Sequence, residues 1–180
     1  MDDRALVRAV LDGDRDAFRP VVEREATAVY RACLRILGEP ADAEDVAQES
    51  MVIGYRSLAT FRGDGPLGAW LVRIATRQAY RRVGQRRNAV DLAAIPEPAG
   101  SGPSSAEPLG TLIASERATE LRAGVAALPE PYRETVALRF FGELALDEIA
   151  AATGRPLNTV KTHLRRGLER LRVAVGRGQP

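Results

Sequence analysis

The stretch "TGRPLNTVKTHLRRGLERLR", residues 153–172, carries Arg155, Lys161, Arg165, Arg166, Arg170 and Arg172 against a single acid, Glu169. Val160, Leu164, Leu168, Leu171 and Val175 recur in and just beyond it at steps of four, four, three and four, one continuous apolar stripe on a helix. Thr159, Lys161, Thr162, Arg165 and Arg166 fall off that stripe. The preceding segment, "LALDEIAAATG" (144–154), predicts a shorter helix. Ala150 is small where two helices cross, Gly154 suits a turn that excludes a Cβ, and Val160 points back into the angle between the helices. That spacing is the steric requirement of a helix-turn-helix. Pro156 starts the second helix, whose first turns then face the DNA major groove. A solvated basic face is the plain alternative, and charge alone does not separate the two. The Ala-Gly-Val spacing does, in favour of DNA binding. Lys161, Thr162, Arg165 and Arg166, with Thr159, are the base-edge and phosphate candidates. Arg139, just upstream, fixes a phosphate or stands on the surface.

Working outward, the apolar pattern is helical nearly everywhere and shows no alternation of period two. It predicts helices at about 3–11, 15–37, 41–60, 67–87, 113–127, 130–141, 145–153 and 157–174. "DGD" (12–14), "GEP" (38–40) and "GDGP" (63–66) punctuate them. Residues 91–110, "DLAAIPEPAGSGPSSAEPLG", are rich in Pro, Gly, Ser and Ala and read as a flexible linker. Such a segment spans roughly 60 Å when extended. The expectation is an all-α chain of two small helical domains, 1–90 and 113–176, joined by a linker at 91–112, with the helix-turn-helix in the second.

The net charge is only +2 over 180 residues, but the charges are sorted. Residues 39–49, "EPADAEDVAQE", hold five acids and no base, whereas residues 73–88, "RIATRQAYRRVGQRRN", hold six arginines and no acid. This sorting suggests polyanion binding plus a separate basic protein partner. Lys161 is the one lysine among 26 basic residues, a bias of GC-rich composition, so arginine placement is informative where its abundance is not. No run of 18 apolar residues exists, and the acidic N-terminal stretch lacks a signal-peptide layout, so a cytoplasmic protein is expected. The lone Cys33 lies in an apolar helical stretch and reads as a buried structural thiol. One His and one Cys in different domains, with no Gly-rich phosphate loop and no paired metal ligands, argue against an enzyme; no metal or other cofactor is expected.

The N-terminal half supplies a resemblance. "DAEDVAQE" (42–49) resembles region 2.2 of bacterial sigma factors of the extracytoplasmic-function group. "FRGDGPLGAWLVRIA" (61–75) is similar to regions 2.3 and 2.4, and residues 128–172 to region 4. The resemblance implies a factor that docks on core RNA polymerase, through the β′ clamp helices and the β flap. It further implies reading of promoter DNA at −35 and −10 and assistance in melting it. Asp42, Glu44, Asp45, Gln48 and Glu49 are then the surface for the clamp helices. The helix dipole alone accounts for Asp42, Glu44 and Asp45 near a helix start, but not for Gln48 and Glu49. Tyr55, Phe61, Arg62 and Trp70 surround the loop that holds a flipped −10 base, with core packing the competing role for the three aromatics and the favoured one for Trp70. Arg73, Arg77 and Arg81 repeat every four residues, share one helix face, and grip the single strand by the same resemblance. The chain departs from the family pattern at Arg77 ("IATR" where "IARN" is usual) and at Leu67, both beside the −10 pocket. The group also implies an anti-sigma factor as partner. A LuxR-like helix-turn-helix regulator is the alternative; it calls for an upstream domain built on a sheet.

Overall fold

The computed structural model describes the backbone of residues 2–92 and 109–176, and the side chains of 2–86 and 116–174. The described residues hold eight α-helices and two short 3-10 turns and no strand. In chain order the helices are α1 (Asp3–Leu11), α2 (Arg19–Leu37), α3 (Pro40–Arg56), α4 (Leu67–Leu92), α5 (Leu109–Ala126), α6 (Tyr132–Phe140), α7 (Leu146–Thr153) and α8 (Leu157–Gly176). Among the described residues, no helix is long and apolar enough to cross a membrane.

Several boundaries differ from the sequence expectation, each for a local reason. The helix expected over 15–37 is divided. Asp14 caps a 3-10 turn (Arg15–Phe18) by accepting the Asp16 and Ala17 N–H groups at 3.1 and 3.2 Å, and α2 proper begins beside Pro20. The helix expected over 41–60 stops at Arg56: the Ser57 hydroxyl donates to the Ile53 carbonyl at 2.6 Å, and a 3-10 turn (Leu58–Thr60) follows that buries Leu58. At the other end of the chain, α6 starts at Tyr132, since a proline disfavours helical backbone in the residue before it and Pro131 follows Glu130. Three helices run further than expected, α4 reaching Leu92, α5 beginning at Leu109 and α8 ending at Gly176. Of the linker expected over 91–112, residues 93–108 lie outside the described part.

Helices α2, α3 and α4 form the N-terminal module. Val21, Val29, Ala32, Cys33 and Ile36 of α2 meet Ala43, Val46 and Ala47 of α3 and Leu71, Val72, Ala75 and Ala79 of α4. Cys33 is fully buried, and burial pushes its thiol up to about 12. Native protein is therefore expected to leave a disulfide-exchange reagent such as dithionitrobenzoate unreacted, and guanidinium-unfolded protein to consume one equivalent. Stoichiometric reaction of the native chain would contradict the buried placement.

The C-terminal module packs α8 across α6 and α7. Val160 and Ile149 are fully buried, and Leu171 nearly so. Gly167 lets α8 approach α6: a Cβ there would stand 2.7 Å from the Val136 Cγ2. The two modules are also in contact, their apolar residues joining in one core, with Gly142 of the second against Val72 of the first. Arg35 of α2 ties the same seam by donating to the Phe141 carbonyl at 2.9 Å and pairing with Glu143 at 2.7 Å.

Candidate nucleic-acid and protein interfaces

In the C-terminal module the turn between α7 and α8 is built as its sequence demands. Glu148 accepts the Ala145 N–H at 2.8 Å at the start of α7. Gly154 ends α7 in the left-handed region, with φ of 67°, and its N–H bonds back to Ala151. Val160 then closes the angle from the first turn of α8. The opposite face of α8 is open: Lys161, Arg165 and Arg166 are exposed and Thr159 and Thr162 half-buried. The Thr162 hydroxyl donates to the Asn158 carbonyl at 2.9 Å, and Arg165 pairs with Glu169 at 2.8 Å on the surface. Arg139 is exposed at the end of α6. It donates to the Leu144 carbonyl at 2.9 Å and so ties the loop between α6 and α7. His163 turns away from the exposed face, edge-on to Tyr132 with ring centroids 5.7 Å apart. Burial holds its pKa below the ordinary value, and the nearby Arg155 and Arg166 add to this, so the neutral ring is favoured.

In the N-terminal module, Glu44, Asp45, Gln48 and Glu49 are exposed along one side of α3. Beside them α2 and α3 leave an open groove of about 600 Å³, lined by Val22, Val29, Tyr30, Ala47 and Met51, with Glu44 and Gln48 at its edge. Asp42 does not join this face. It turns to α4 and pairs with Arg82 at 3.4 Å and with Arg86. That inward pairing is a local tie between α3 and α4.

The "RGDGPLG" loop lies against the helix-turn-helix. A cavity of about 340 Å³ is lined by Thr60–Pro66, Trp70 and Arg73 on one side and Ala151–Gly154 on the other. Phe61 and Trp70 meet at the loop with their ring planes tilted by 57° and centroids 5.6 Å apart. Tyr55 is removed from them, edge-on to the buried Phe18 at 5.3 Å. Arg73 and Arg77 both reach Glu134 of α6, at 3.1 and 3.4 Å, while Arg81 is exposed. Arg155 completes the cluster, 2.8 Å from the second Glu134 oxygen. Sequence reasoning missed Glu134. Its partners lie on two other elements, and it sits in "YRETVAL" with no spacing signal to mark it.

A buried α7–α8 angle with a basic outward α8 defines a DNA-binding protein of the helix-turn-helix class. The sigma-70 region 2 family matches residues 21–89 and the sigma-70 region 4 family residues 118–171. The extracytoplasmic-function sigma factor SigW of Bacillus subtilis is 31% identical over 175 residues, covering 92% of each chain. The RNA polymerase sigma-E factor of Escherichia coli K12 is 31% identical over 176 residues, covering 94% of this chain and 92% of that one. Two solved structures share the fold: CnrH in complex with the cytosolic domain of CnrY, with a TM-score of 0.62 over 98% of this chain and 99% of that one at 22% identity, and the sigma factor RpoE in complex with the anti-sigma factor NepR from Bartonella quintana, with a TM-score of 0.55 over 91% and 99% at 18% identity. The chain belongs to the extracytoplasmic-function group of the sigma-70 family, the sigma factors that direct promoter-specific initiation of transcription. The LuxR-like alternative loses its ground, since region 2 occupies the half where that reading needs a sheet, and the described part of that half is helical.

Proposed function

We propose that the two modules divide the sigma factor's work between them, residues 1–90 holding polymerase and the −10 strand and residues 113–176 reading −35, with 91–112 as the tether. The observation that carries this is the pairing of two faces of opposite sign, one on each module. The exposed acids of α3 edge an apolar groove, and the exposed bases of α8 cap a buried turn. Glu44, Asp45, Gln48 and Glu49 meet the β′ clamp helices of core polymerase, whose apolar side chains enter the groove between α2 and α3. Asp42 supports this face from behind through Arg82 and Arg86. The β flap takes the C-terminal module. Lys161, Thr162, Arg165 and Arg166 contact bases and phosphates at −35, with Thr159 at the entrance to the groove. Arg139 orders the loop below them.

At −10, Phe61, Arg62 and Trp70 border the pocket for an unstacked base, and Arg73, Arg77 and Arg81 hold the strand. Unstacking costs a few kcal/mol per base, which aromatic stacking and arginine contacts return in part. Tyr55 supports α3 through Phe18. The chain contributes no catalytic group, because polymerase performs the phosphoryl transfer, and it works in the cytoplasm, where the polymerase is. An anti-sigma factor holds it there in its inactive state, as NepR is bound to RpoE in the Bartonella structure.

Permanganate footprinting tests the melting role. With core polymerase and a promoter fragment, thymines around −10 are expected to become reactive only when this chain is added. Reactivity that instead needs a second sigma factor would restore the regulator reading.

A further inference from the structure

Two of the three arginines that read as the strand-gripping face, Arg73 and Arg77, are paired within the chain itself. Glu134 is 6% exposed, and its two carboxylate oxygens take Arg73, Arg77 and Arg155 at 3.1, 3.4 and 2.8 Å. One negative charge therefore faces three positive ones, drawn from α4 and from the turn of the helix-turn-helix. Such a cluster retains an excess of positive charge and remains attractive to an anion. Planar guanidinium groups gathered on one set of acceptor oxygens are also how arginines receive a phosphate.

The closure around this cluster is steric as well as ionic. A Cβ on Gly65 would stand 2.6 Å from the Ala151 Cβ, and one on Gly154 would stand 2.6 Å from the Arg62 guanidinium. The "RGDGPLG" loop thus lies directly under the end of α7, and the 340 Å³ cavity between them is walled by both modules. Arg73 is largely covered by this closure and Arg77, still open to solvent, has its guanidinium drawn to Glu134, so a strand cannot engage both while α6 and α7 lie there.

We propose that Glu134 is an internal stand-in for a DNA phosphate: in the free chain it holds Arg73 and Arg77, closes the C-terminal module over the −10 surface, and is displaced by the phosphodiester backbone of single-stranded DNA when the modules separate. This rests on the assignment of Arg73 and Arg77 to the −10 strand. The competition is between one carboxylate fixed within the chain and several phosphates presented together. The closed form therefore excludes stray single strands while a properly placed one, with polymerase holding the modules apart, prevails.

Glu134→Gln keeps the shape and removes the charge. Ala151→Leu adds bulk against the Gly65 loop and no charge, and so opens the same seam while leaving the charges of the cluster as they are. Each full-length variant is compared with the parent by anisotropy of a short fluorescein-labelled single-stranded DNA and by small-angle scattering. Both variants are expected to show a larger radius of gyration and roughly three- to tenfold tighter binding, the range expected when a competitor with the net worth of one ordinary internal hydrogen bond is lost. Adding Arg73→Ala and Arg77→Ala removes that gain. Should Glu134→Gln fold, by circular dichroism and melting, and bind no tighter, while the two alanines weaken the parent, Glu134 does not compete and the strand assignment survives. Alanines without effect in any background overturn that assignment, and the proposal with it. If Glu134→Gln does not fold, unchanged binding and unchanged dimensions of Ala151→Leu overturn the proposal by themselves.

Discussion

Replacing Arg165 and Arg166 together by alanine lowers transcription from the chain's own promoters by roughly a hundredfold or more, while binding to core polymerase stays as it was. Both side chains are exposed on the outward face of α8, away from the Val160–Leu171 stripe that builds the core. Surface substitutions of this kind usually change stability by about half a kcal/mol or less. Among the described residues the bond lost is the surface pair with Glu169, a type worth about 0–1 kcal/mol. Each contact to a base edge contributes about 1–3 kcal/mol, so losing two accounts for the expected drop. The salt dependence of promoter binding becomes shallower as well, by about one unit of slope for each phosphate contact removed. Transcription measured on a promoter fragment, beside polymerase pull-down of the same variant, reads both halves. A variant that transcribes at the parental rate would remove α8 from the DNA interface.

The second large effect belongs to the opposite face. Glu44→Lys with Glu49→Lys reverses two exposed charges along α3 beside the apolar groove. Against a basic partner helix, like charges cost several kcal/mol together, so affinity for core polymerase is expected to fall by roughly a hundredfold or more. Asp42→Asn behaves differently. It releases Arg82 and Arg86, loosening α4 on α3, and so lowers the melting temperature more than it lowers affinity. Surface plasmon resonance on immobilised core enzyme, with thermal melts of each variant, separates the two. Unchanged affinity in the double reversal would place the polymerase surface elsewhere.

The helix-turn-helix was legible because its constraints are local. Val160 must be buried and Gly154 left-handed within a few residues of each other, and both are. The exposed side of α3 was legible for the same reason: Glu44, Asp45, Gln48 and Glu49 lie about one helical turn apart. Asp42 shares the acidic run and stands two turns before Glu49, but at that end of α3 the facing helix brings Arg82 and Arg86 from 40 or more residues away in the sequence. The bond that Arg139 makes was out of reach in the same manner, since its carbonyl partner belongs to a loop whose path periodicity does not encode. The ends of α4 and α5 went unread because a composition rich in Pro, Gly and Ser blurs where a helix stops. Pro108, immediately before Leu109, was the available signal, since proline is tolerated at helix starts. Glu134 is the furthest from reach. An acid inside an apolar run looks like a surface residue until α4 and the α7–α8 turn are folded onto it.

Purified chain, core RNA polymerase and genomic DNA, followed by sequencing of the transcript 5′ ends, is the most direct trial of the division of labour between the two modules. The account predicts discrete start sites preceded by a shared pair of upstream elements at a fixed spacing, the upstream one lost in the Arg165 and Arg166 variant. Scattered starts identical to those of core enzyme alone, with no chain retained on the polymerase, would contradict it.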